Sequence, residues 1–64
     1  MKRGDAHEGQ RVRVAVDGIP REGRIQQVGD DRYPGLKNAA SVEFRERDLV
    51  TTWFPVACLE EVKR

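Results

Sequence analysis

Few side chains in this sequence are of types that do chemistry alone, and their spacing gives them little to do together. His7 lies beside Asp5 and Glu8, but a histidine metal site needs further nitrogen or sulfur ligands and none stands nearby. It reads as a solvated histidine in a polar stretch. Cys58 is the one cysteine, which excludes an intramolecular disulfide and a zinc site built from cysteines. With core-type residues around it and no basic residue close by, it reads as a buried, inert thiol. The carboxylates Asp30-Asp31 and Glu60-Glu61 are sequence neighbours, so on a strand or loop they point apart and make no acid–base pair. No histidine accompanies a serine or cysteine nucleophile, and there is no glycine-rich phosphate loop. The chain therefore reads as non-enzymatic, with no catalytic residue, no cofactor and no metal.

Binding is the chemistry that remains. Trp53 is the leading contact residue, because an indole facing water from a polar surface is costly and tryptophan is favoured at binding centres. Its alternative is a place in the core. Tyr33, Lys37 and Thr52 join Trp53 as candidate contacts for a protein partner. Arg11, Arg13 and Arg24 are the candidate contacts for an anion or a nucleic acid. Arg13 and Arg24 are expected opposite each other, an arrangement that needs an acid such as Glu22, or a bound anion, to offset it. Overall charge argues against a dedicated nucleic-acid binder: 12 basic and 11 acidic residues leave a net +1, without the basic excess from which phosphate binding draws its affinity.

The elements that must hold these residues are strands. Residues 1–8 are polar and aperiodic and read as a flexible tail, with one domain over 9–64. From Gln10 onward Val12, Val14 and Val16 alternate with Arg11, Arg13 and Ala15, the period of a half-buried strand. Asp17-Gly18-Ile19-Pro20 breaks it. Matching apolar faces across that break favours a four-residue loop that pairs Val16 with Arg21, Val14 with Gly23 and Val12 with Ile25. A two-residue Asp17-Gly18 turn would set Val14 against Arg21. Ile25 and Val28 are three apart rather than two, which predicts a bulge near Gln26-Gln27. Gly29 to Ala39 is the longest loop, the kind of place where small scaffolds put binding residues. A third strand spans Ala40–Arg45, with Val42 and Phe44 inward, and a fourth spans Leu49–Phe54. Facing in that fourth strand favours Val50, Thr52 and Phe54 inside and Trp53 outside. Pro55-Val56-Ala57-Cys58 reads as one 3-10 turn, and Leu59–Lys63 as a fifth strand. The expected core is Val12, Val14, Ile25, Val42, Phe44, Val50, Phe54, Val56, Leu59 and Val62.

Short strands, glycine turns and a proline-started turn before the last strand resemble the small SH3-like barrels, so the expected fold is all-β, a closed five-stranded barrel. Gly9, Val12, Val14, Gly18, Gly23 and Ile25 resemble the KOW motif of some ribosomal proteins and transcription elongation factors, which implies a barrel that holds RNA or a protein. A longer stretch resembles the plasmid-borne type II dihydrofolate reductases, through Gly9-Gln10-Arg11-Val12-Arg13, Gly23-x-Ile25, Val42-Glu43 and Pro55-Val56-Ala57-x-Leu59-Glu60. That resemblance implies an SH3-like barrel and four protomers around a pore. The family's active-site strand reads Val-Gln-Ile-Tyr before the proline. Here Thr51-Thr52-Trp53-Phe54 stand there, so Thr52 replaces its glutamine and Phe54 its tyrosine. Val14 and Ala15 replace its lysine pair.

The functional expectation is a binding or adaptor module for a protein partner. A KOW-like module associated with nucleic acid is the alternative, and an inactive homo-oligomeric pore protein is a second. A lone cysteine, a polar N-terminus and no membrane-length apolar run point to the cytoplasm, away from membranes.

Overall fold

The computed structural model describes residues 1–30, 32, 34–46 and 49–62. Tyr33 lies outside the described residues, and so do Asp31 and the tip residues Arg47 and Asp48. The chain is all-β: β1 (Arg11–Val16), β2 (Ile19–Val28), β3 (Ala39–Phe44), β4 (Thr52–Pro55) and β5 (Glu60–Glu61) form a single antiparallel sheet in the order β4-β3-β2-β1-β5. Three 3-10 turns, Arg3–Asp5, Pro34–Leu36 and Val56–Cys58, are its only helical elements among the described residues. No helix there is long and apolar enough to cross a membrane.

The β1–β2 hairpin departs from the expected register. It turns on Asp17 and Gly18 alone, at φ 52° and 79°, so that Val16 pairs with Ile19, Val14 with Arg21 and Val12 with Gly23. Two consecutive positive φ values make the turn whose twist matches that of paired strands, and Asp-Gly is among the sequences that adopt it most readily. This local preference outweighs the tidier matching of apolar faces. It sets Arg21 opposite Val14, on the inner face, rather than opposite Val16. The guanidinium is tolerated because it is half-exposed and reaches Glu46 Oε1 at 3.3 Å.

Gly23 is buried in the middle of β2 because β3 comes very close. A Cβ there would lie 2.6 Å from the Glu43 carbonyl oxygen and 2.7 Å from Val42 Cγ1. Two residues on, the ladder shifts between Ile25 and Gln27, so Gln26 is the extra residue of the anticipated bulge. The bulge lets Ile25 pair with Val42 and Val28 with Ala40, keeping both apolar side chains on the inner face.

The core consists of Val12, Val14, Ile25, Ala40, Val42, Phe44, Val56 and Leu59, with Met1, Ala6, Val16, Val28, Leu49 and Phe54 packed at its margin. Phe54 faces inward as expected and meets Phe44 edge-to-face, with ring centroids 5.9 Å apart. Three expectations for the core change. Val50 is 78% exposed, because β4 starts only at Thr52 and Leu49 turns inward in its place. Val62 is half-buried, and its N–H donates to the Arg11 carbonyl at the sheet edge. Ala40, opposite Phe54, is fully buried and was not anticipated.

The sheet does not close into a ring. β4 and β5 are its two edges, joined through the turn Val56–Cys58, whose Val56 and the following Leu59 point into the core. Ala57 and Cys58 point away, so the thiol is exposed rather than buried. The first residues carry contacts of their own: the Met1 nitrogen donates to the Leu59 carbonyl at 3.0 Å, and the His7 N–H donates to Gln10 Oε1 at 3.2 Å.

Two substitutions test this packing. Gly23→Ala is expected to cost about 1–3 kcal/mol, since the methyl group meets backbone that cannot give way without breaking the ladder. Phe44→Ala is expected to cost about 3–5 kcal/mol and to leave little of the domain folded. Urea melts read both, and parental midpoints would show that β3 and the Phe44 pocket are packed otherwise.

Candidate functional site

Alternation along β3 sends Ala40, Val42 and Phe44 into the core and Ser41 and Glu43 outward. On that outer face the ladder forms two rows. Arg11, Arg24 and Glu43 share one, and Gln27, Ser41 and Trp53 share the other. Arg24 thus stands opposite Arg11, not opposite Arg13 as anticipated, because the hairpin turns two residues earlier. Arg13 stands opposite Glu22 and, on its other side, Glu60.

Two of the three arginines have an acid close by. Arg11 Nε lies 3.6 Å from Glu22 Oε1, and Arg13 Nη1 lies 3.8 Å from Glu60 Oε1. Glu43 accepts from Gln26 Nε2 at 3.4 Å. The like-charge pair Arg11–Arg24 is therefore offset by acids on the same face, chiefly Glu22, rather than by a required anion.

Trp53 sits apart from these charges. It lies on β4, two strands from Arg24, about 10 Å across the sheet. The indole is half-buried, and it is not part of the core cluster. Ser41, its partner in the ladder, faces away from the core and yet is only 4% exposed. An outward serine is shielded only by its neighbours, and Trp53 and Gln27 flank it.

β4 also offers backbone. The Val56 N–H donates to the Asn38 carbonyl at 2.8 Å, just beyond the pair Ala39–Pro55. In an antiparallel ladder bonded and non-bonded pairs alternate, so Phe54 and Thr52 bond to β3 while Pro55 and Trp53 do not. Pro55 lacks an N–H and loses nothing there. The N–H and C=O of Trp53, and the C=O of Pro55, point to the open edge. Thr52 is exposed and turns its hydroxyl back to the Val50 carbonyl at 2.9 Å. Lys37 is exposed in the loop that leads into β3, at the Pro55 end of the same edge.

The structure therefore places Thr52 next to Trp53 on β4 but facing the other way, leaves Lys37 in the loop before β3, and sets Arg11, Arg13 and Arg24 on another part of the sheet. What the sequence reading missed is the backbone of Trp53. The signal was present in Pro55, whose missing N–H marks an edge strand. Asp30 is also more organised than a polar loop suggests: its carboxylate accepts from the Arg32 N–H and Nε at 2.9 and 3.0 Å. Among the described residues no three histidine, cysteine, aspartate or glutamate side chains gather to hold a metal. No family model, no curated protein and no solved structure gives a significant match to this chain.

Arg13 and Glu60 are 47% and 72% exposed, so their pairing should contribute little. A double-mutant cycle on Arg13→Ala and Glu60→Ala is expected to give a coupling of about 0.2–1 kcal/mol. A coupling several times larger would mean that this face is held by charge rather than by the ladder beneath it.

Proposed function

We propose that this chain is a small cytoplasmic, non-enzymatic binding module for a protein partner, with Trp53 as its central contact. The observation that carries this reading is a half-buried tryptophan on the outer face of an edge strand, outside the hydrophobic core. A large aromatic there adds little to the fold, yet it presents a rigid apolar surface with an N–H handle to another molecule. Thr52 precedes it on β4, and the 29–39 loop, which includes Tyr33 and Lys37, runs into the neighbouring strand. Charge favours a protein over a nucleic acid, because Glu22 and Glu60 lie 3.6 and 3.8 Å from Arg11 and Arg13, and 12 basic against 11 acidic residues leave no basic excess to displace counterions.

Selection of a displayed random-peptide library against the purified chain tests the proposal. The expected result is a set of peptides whose binding weakens about tenfold or more, the loss of an interface anchor, in Trp53→Ala with an unchanged melting temperature. Peptide binding that survives Trp53→Ala would overturn the reading. So would stable binding to homopolymer RNA at low salt that falls steeply as salt rises, which would move the function to nucleic acid.

A further inference from the structure

The two edges of the sheet differ in kind. Exposed sheet edges are templates for unwanted pairing, and folded proteins blunt them with short strands, charges and prolines. The β5 edge follows this rule: it is two residues long, and both are exposed glutamates. The β4 edge does not. From Leu49 to Leu59 eleven consecutive residues carry no charge, in a chain that is 36% charged overall. Pro55 blunts only the end of that edge, and Trp53 directs an unpaired N–H and C=O outward just before it.

We propose that the open edge of β4 is a docking site for an extended, uncharged segment of a partner protein, which adds to the sheet as a further strand beside Trp53. This deepens the function proposed above and rests on it. Backbone groups specify the form of the occupant, because an outward N–H and C=O on one residue are satisfied together by a strand that returns both bonds. Charge specifies its composition. Packed against Leu49–Leu59, a charged side chain would leave water and find no counter-charge in that segment, so the segment selects polar-neutral and apolar residues. The half-buried indole, on the outer face in the same ladder row as Ser41, supplies the contact for one side chain of the added strand, and Pro55, which offers only a carbonyl, limits the register at one end.

The test uses peptides selected on the intact chain, remade with each backbone nitrogen methylated in turn. It also uses the whole 64-residue chain made by chemical synthesis with the Trp53 amide nitrogen methylated. Strand addition predicts that methylation of alternate peptide residues weakens binding about tenfold or more, while methylation of the residues between them has little effect. It predicts the same loss for the chain methylated at Trp53, with its melting temperature unchanged, since that N–H bonds to nothing within the sheet. It predicts selected sequences poor in lysine, arginine, aspartate and glutamate. Binding that depends on the Trp53 side chain but is indifferent to every backbone methylation overturns strand addition and leaves the binding module standing. A library that yields no ligand dependent on Trp53 overturns both. Sedimentation of the free chain as a dimer in which the Trp53 amide is protected also overturns the proposal, because the occupant would then be a second copy.

Discussion

The register of the β1–β2 hairpin is the constraint on which the other strands depend. Asp17 and Gly18 hold positive φ at two successive residues, so the hairpin turns in two residues and every pair downstream is counted from there. A shift by one residue would exchange the inner and outer faces, putting Arg11 and Arg13 in the core in place of Val12 and Val14. Once Val12 stands opposite Gly23, β3 settles close against the bare glycine, and the bulge at Gln26 returns Val28 to the inner face. β3 in turn places Ala40 opposite Phe54 and Ser41 opposite Trp53. The facing of the tryptophan is set at the last of these pairings, opposite Ser41 on the outer face of β3.

That chain of consequences separates two kinds of surface. Over β1 and β2 the outer face carries arginines and glutamates that interleave across strands, Arg11 beside Glu22 and Arg13 beside Glu60. Over β4 there is no charge to satisfy, and what remains open is an indole and the backbone of its own residue. In so small a domain the core is thin and much of the chain stays at the surface. An uncharged edge is then a standing exposure to aggregation, and its presence is what gives the binding reading its weight.

Periodicity made the inner faces of β1, β2 and β3 legible, since Val12, Val14, Ile25, Val42 and Phe44 follow a two-residue alternation interrupted only at the bulge. The 3-10 turn was legible in Pro55 and the apolar pair that follows. The hairpin register was not, because matching apolar faces and turn chemistry gave opposite answers and Arg21 made the true one look unfavourable. Only the structure shows that Arg21 reaches Glu46 from the inner face. Val50 misled for a related reason: its alternation with Thr52 and Phe54 is that of a strand, but the ladder begins two residues later. Alternation alone allowed either Trp53 or Phe54 to face the core; the pairing of Phe54 with Ala40 and its edge-to-face contact with Phe44 decide it. Pro55 marked an edge strand, but which N–H groups face its open side follows only from the pairing with β3.

Whether β4 is an open edge in the free protein is the point on which the functional account turns, and amide hydrogen exchange read residue by residue measures it directly. The account predicts that the amides of Thr52 and Phe54, bonded to β3, exchange slowly, while the amide of Trp53 between them exchanges quickly in the monomer. A Trp53 amide protected as well as its neighbours, in a chain shown to be monomeric, would mean that this edge is already covered and would contradict the account.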